Sequence, residues 1–164
     1  MRFLATALTI VLAWPVLAAE RTEAKKTAAA FAELAGEWKA VETEVDGKKM
    51  DPKELADYRL VFTGNDCAIH SGKRVVQCRV VVDAGESPHS IDLTRAHDNV
   101  TSAGIYEVKE GRLWVLLGTN GGKRPTEFKT KTGTDEVLRV YERVKPQPEV
   151  PKGIGEQSDA ADSR

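Results

Sequence analysis

The chain predicts an all-β fold, an eight-stranded antiparallel up-and-down barrel with a short helix after the first strand. Three observations predict it. From Gly36 to Arg143, segments of five to nine residues rich in Val, Ile, Leu, Thr and aromatics alternate with Gly, Asn, Asp and Ser clusters. Nearly every connection is short enough to join antiparallel neighbours. Eight such strands can close on themselves and so remove their exposed edges.

The strands are expected at Trp38–Val45, Arg59–Thr63, Cys67–His70, Arg74–Val82, Ser90–Leu93, Gly104–Val108, Arg112–Leu117 and Val137–Arg143. Turns fall at Asp46-Gly47, Gly64-Asn65-Asp66, Ser71-Gly72-Lys73 and Glu110-Gly111, each with a residue that tolerates positive φ. In DPKELADY, Asp51 is placed to cap, Pro52 suits a first helical position and Glu54 is placed to reach back to the cap. About two helical turns ending before Tyr58 follow, at a position to close one barrel mouth.

The ends differ from the domain. MRFLATALTIVLAWPVLAAERTEAKK has a basic start at Arg2, an apolar run from Phe3 to Leu17 broken by Pro15, and small residues after it. This is the layout of a signal peptide over residues 1–18, cleaved after Ala18, with Val16 and Ala18 as the modest side chains at the cut. The apolar run is short for a membrane span, so no transmembrane segment is expected after cleavage, and the absence of a cysteine at the cut argues against a lipid anchor. An exported protein, periplasmic or secreted, is the expectation. Residues 19–35 read as a spacer whose Ala- and Lys-rich part suits a helix, residues 36–144 as the barrel domain, and residues 145–164, with three prolines, as a disordered tail.

The whole chain carries a formal charge of −1. Removing the leader takes away only Arg2, which leaves about −2 on the mature protein. Lys and Arg are interspersed with Asp and Glu, so nucleic-acid binding has no electrostatic footprint.

GEWKAVETEVDGK at Gly36–Lys48, SPHSIDLT and GIYEVKEGRLWV at Ser87–Thr94 and Gly104–Val115, and RPTEFKTKTGTDEVLRVYER at Arg124–Arg143 together resemble a domain abundant in planctomycete bacteria. That family comprises small exported proteins of lipocalin-like, or calycin-like, architecture with no established catalytic residue. The resemblance spans nearly the whole domain and implies the same barrel. Gly36-Glu37-Trp38 is also similar to the G-x-W that opens lipocalins. There the Trp closes the barrel floor beneath an Arg from the last strand, which implies a floor of Gly36, Trp38 and Arg139 or, at the strand's end, Arg143. Arg139-Val140-Tyr141 resembles the R-x-Y of intracellular fatty-acid-binding barrels, which implies a ligand contact by Arg139 and Tyr141. Alternation along the strand opposes this, since Leu138, Val140 and Val144 form the more apolar face and read as the core side.

Other chemistries are poorly supported. Cys67 and His70 have C-x-x-H spacing, but positions i and i+3 of a strand face opposite ways; His89 and His97 fall in or beside loops, so no metal is expected. Ser87, His89 and Asp92 hold the residue types of a triad, yet they lie in one segment without a nucleophile elbow and read as a turn entering a strand. No pair of carboxylates stands out for glycoside hydrolysis. Asn99-Val100-Thr101 is a formal glycosylation sequon, and GTNGGKRP at Gly118–Pro125 lacks the Gly-Lys-Ser/Thr ending of a phosphate loop. No cofactor is implied.

CAIHSGKRVVQC holds both cysteines. Centring the hairpin between Gly72 and Lys73 pairs Ser71 with Arg74, Ile69 with Val76 and Cys67 with Cys78. In an oxidising compartment a Cys67–Cys78 disulfide is expected, worth about 2–3 kcal/mol for so small a loop, with buried free thiols as the alternative. Two function classes remain: a non-enzymatic module that binds a small apolar or amphipathic ligand or a protein partner, which the lack of an inward catalytic cluster favours, and a hydrolase or isomerase in the same pocket.

Overall fold

A computed structural model describes residues 14–118 and 122–145, with side chains from Arg21 onward. Helix α1 (Trp14–Leu34) leads directly into strand β1 (Gly36–Val45). There follow β2 (Lys48–Lys49), one 3-10 turn (Pro52–Leu55), β3 (Tyr58–Thr63), β4 (Asp66–Ser71), β5 (Arg74–Asp83), β6 (His89–Arg95), β7 (Thr101–Lys109), β8 (Arg112–Leu117) and β9 (Val137–Arg143). Most of the leader and all of the tail beyond Lys145 lie outside the described residues.

The sheet runs β2-β1-β3-β4-β5-β6-β7-β8-β9, and β1 also pairs with β9. Eight antiparallel strands therefore close into a barrel, while two-residue β2 is an arm folded back on β1. The expected up-and-down meander is the observed topology. The β4–β5 hairpin has the register read from the sequence, with Ser71 opposite Arg74, Ile69 opposite Val76 and Cys67 opposite Cys78.

The helix after β1 is shorter than expected. The Asp51 carboxylate accepts from the Lys53 N–H at 2.9 Å, and the Glu54 N–H bonds to the Asp51 carbonyl at 3.0 Å. That i→i+3 bond closes a 3-10 turn, which ends once Leu55 is buried.

Inside the barrel, Trp38, Leu60, Phe62, Val80, Ile91, Leu93, Tyr106, Leu113, Val115 and Tyr141 form one core, joined at one end by Ala30 and Leu34 of α1. A second, smaller core lies on the outer wall, where Ile105, Leu116 and Leu138 pack with Trp114 and Phe128. Residues 122–136, ahead of β9, cover it as a strap. Thr130, 3% exposed, fastens the strap: its hydroxyl accepts from the Gly47 N–H at 2.9 Å and donates to the Glu44 carboxylate at 2.5 Å. At the strap's other end Arg124 donates to the Gly104 carbonyl at 2.6 Å and ion-pairs with Asp92 at 2.8 Å. Thr130→Val removes both hydroxyl bonds while keeping the shape. It should cost about 1–3 kcal/mol in a urea titration, with the loss traced to an orphaned Gly47 N–H.

The second core overturns one expectation. Leu138 and Val140 face outward under the strap, Val144 is 37% exposed, and Arg139 and Tyr141 face the interior. With apolar material on both sides of β9, hydrophobic alternation loses its power to tell inside from outside.

Candidate functional site

The inward face of β9 carries Val137, Arg139, Tyr141 and Arg143. Arg143 lies at the end closed by α1. Its guanidinium carbon is 4.1 Å from the centre of the Trp38 ring, within cation–π range, and its N–H groups donate to the carbonyls of Glu33 and Ala35. Trp38 is 0% exposed, and its indole N–H donates to the Leu34 carbonyl at 2.7 Å. These three carbonyls close α1, so a cation and an indole satisfy groups a helix end otherwise leaves free. Gly36, the first residue of β1, sits at φ +106°, and a Cβ there would lie 3.3 Å from Arg143 Nη1, so this position favours a residue without a side chain.

Four residues back along β9, Arg139 is opposite Thr43 on β1 and Val115 on β8. Its guanidinium carbon lies 5.1 Å from the centre of the Tyr58 ring. Tyr141 shares its face and is 4% exposed; burial pushes the Tyr141 phenol upward while the neighbouring guanidinium opposes that shift. Arg139 Nε and Thr43 Oγ1 are both buried and make no hydrogen bond. Among the described residues no carboxylate forms an ion pair with Arg139. Partly buried Ile69, Val76 and Leu117 pack on the core from neighbouring inward faces. A cation set between two phenols beside an orphan hydroxyl can hold one small anionic head.

Sequence reading placed Arg139 and Tyr141 together but missed Thr43 and Tyr58. A β-bulge between Ala40 and Glu42 shifts the parity of β1, so that Thr43 faces inward where strict alternation from Trp38 would turn it out. Tyr58 begins a strand one residue before the expected boundary.

The disulfide expectation is corrected: Cys67 and Cys78 are directly opposed and buried, but they are not bonded and remain free thiols. Facing register alone does not bring two sulfurs to the roughly 2.05 Å and the dihedral a disulfide requires. The histidines stay apart. His70 faces outward opposite Arg59 and Val75, His89 donates from Nδ1 to the Glu86 carbonyl at 2.6 Å, and His97 is 3.3 Å from Asp98. No group of three or more His, Cys, Asp or Glu among the described residues is placed to hold a metal.

Ser87, His89 and Asp92 do not assemble, since Asp92 is committed to Arg124 and His89 to a backbone carbonyl. The His89 ring lies 5.3 Å from that of Tyr106, whose buried hydroxyl burial pushes up to about 12, with Glu33 and Asp83 adding to the shift. Asn99 adopts φ 56° in the β6–β7 turn, and its N–H bonds to the Arg95 carbonyl at 2.9 Å. Residues 119–121 of GTNGGKRP lie outside the described residues. Two grooves of about 450 and 470 Å³ open on the outer wall around β5 and β6. In comparisons with known proteins, no family model, no curated protein and no solved structure matches this chain.

Proposed function

We propose that this protein is an exported, non-enzymatic binding barrel whose ligand is a small amphipathic molecule with a single anionic head, such as a carboxylate. The observation that carries this reading is Arg139. It is an inward cation with a buried, unpartnered Nε, next to an equally unpartnered Thr43 hydroxyl, in an interior otherwise lined mainly by apolar side chains. A buried donor left unmade costs about 1–3 kcal/mol, so an anion that meets both groups recovers energy the free protein forgoes. The head would take charge-assisted bonds from Arg139 Nε and a bond from Thr43 Oγ1, with Tyr141 in reserve on the same face. The apolar part would lie against Ile69, Val76 and Leu117.

Export rests on the leader layout, and membership of the lipocalin-like exported family rests on the four sequence blocks that resemble it. Among the described residues no helix is long and apolar enough to cross a membrane.

Native mass spectrometry of protein purified from its own host, followed by titration with medium-chain carboxylates, tests the ligand. The expected result is a co-purifying acid or a saturable carboxylate complex that Arg139→Gln weakens by about tenfold or more, the loss of one charged hydrogen bond. A clean apo mass together with no saturable carboxylate binding would refute it. N-terminal sequencing of the same preparation should begin at Ala19; an intact Met1 would refute cleavage and export by this leader.

A further inference from the structure

Cross-strand register aligns the polar groups of the interior. Tyr106 on β7 is opposite Val115 on β8, Val115 is opposite Arg139 on β9, and Arg139 is opposite Thr43 on β1. Thr43 Oγ1, Arg139 Nε and Tyr106 Oη are each buried without a hydrogen bond, so three orphan polar atoms share one inward row of neighbouring strands. Native interiors leave few such atoms unmet, and orphans in one row point to one occupant. Adjacent strands lie about 4.8 Å apart, which sets the Tyr106 and Arg139 backbones roughly 10 Å from each other. Val115, 3% exposed, lies between them and suits methylene groups that join the two ends of a ligand.

We infer that the ligand carries, besides the anionic head held by Arg139 and Thr43, a neutral hydroxyl or carbonyl oxygen that accepts a hydrogen bond from Tyr106. The inference rests on the anion reading and narrows it to hydroxy- or oxo-substituted amphipathic acids. Tyr106 is 0% exposed, and burial pushes its phenol up to about 12, with Glu33 of α1 and Asp83 of β5 adding to the shift. The hydroxyl therefore keeps its proton near neutral pH and is available as a donor. The same two acids set the sign of what it can receive. A second carboxylate placed there would meet their negative charge, whereas an uncharged oxygen would not. The row thus has a cationic station at Arg139 and a neutral-acceptor station at Tyr106.

The test is calorimetric titration of the wild-type chain, Tyr106→Phe and Arg139→Gln with a medium-chain series of ω-hydroxy acids, the matching unsubstituted acids and the matching dicarboxylates. At the best-fitting length the ω-hydroxy acid should bind wild type about tenfold more tightly than the unsubstituted acid, the recovery of one hydrogen bond to a buried orphan. The dicarboxylate should bind no more tightly than the unsubstituted acid. Tyr106→Phe should erase the gain, leave unsubstituted acids within about twofold of wild type, and melt no lower than wild type, since the hydroxyl it deletes has no partner in the free protein. Equal binding of hydroxy and unsubstituted acids at every length, which is measured on wild type alone, would overturn the second contact and leave the anion reading standing. A gain that survives in Tyr106→Phe, or a preference for dicarboxylates, would do the same. Binding of none of the acids, or binding unchanged by Arg139→Gln, would overturn the anion reading and this inference with it.

Discussion

Trp38→Ala should lower the unfolding free energy by about 3–5 kcal/mol, the largest single loss expected in the molecule. Three contributions disappear together. The fully buried indole leaves a cavity at the barrel end, Arg143 loses the ring face it covers, and the Leu34 carbonyl loses its donor. Because α1 is held by those contacts, its last turns should loosen with the barrel. Urea denaturation followed by far-ultraviolet circular dichroism measures the first effect, and amide exchange at residues 30–35 measures the second. A loss under about 1 kcal/mol would show that the floor is not a stabilising element.

Gly104→Ala should be nearly as damaging, at about 3 kcal/mol or more, although it adds only one methyl group. A Cβ on Gly104 would lie 2.5 Å from the Leu116 carbonyl oxygen and 2.7 Å from Leu117 Cδ2. The carbonyl belongs to the backbone of β8, so it cannot move aside without disturbing the β7–β8 ladder that pairs Gly104 with Leu117. The Gly104 carbonyl also receives Arg124, so a shift would carry the strap with it. Gly64→Ala is the control. Gly64 has φ +59° but nothing within 4 Å of where a Cβ would stand, and the change should cost only the ~1–2 kcal/mol of placing an L-residue in the left-handed region. Thermal melts of the two variants compare them directly, and a less stable Gly64→Ala would contradict the packing account of Gly104.

Much of the architecture is legible in the sequence because it depends on local chemistry. Turn residues at Asp46-Gly47, Ser71-Gly72 and Glu110-Gly111 do set the hairpins, with positive φ at Asp46, Gly47, Gly72, Glu110 and Gly111. A two-residue turn then dictates which residues oppose each other, which is why the facing of Cys67 and Cys78 can be read directly. Asp51 caps as its type and position suggest.

The candidate site is only half legible. The spacing of an R-x-Y singles out Arg139 and Tyr141, but alternation assigns them to the wrong side of the wall. Alternation states which residues share a face and is silent on which face is inside. That depends on what covers the outer wall, and Phe128, Thr130 and Arg124 reach it from a segment without regular structure. Thr43 is hidden by a bulge, whose extra residue changes the parity of everything after it.

By itself, then, the sequence determined the strand order, the antiparallel closure and the pairing within hairpins, since these follow from turn chemistry and period-two patterning over a few residues. Only the tertiary structure decided that Arg139 and Tyr141 face the interior, that Thr43 joins them, that Arg143 rather than Arg139 covers Trp38, and that the opposed cysteines remain thiols. Each of those outcomes rests on ångström-scale distances between groups far apart in the chain, which residue types and spacing do not encode.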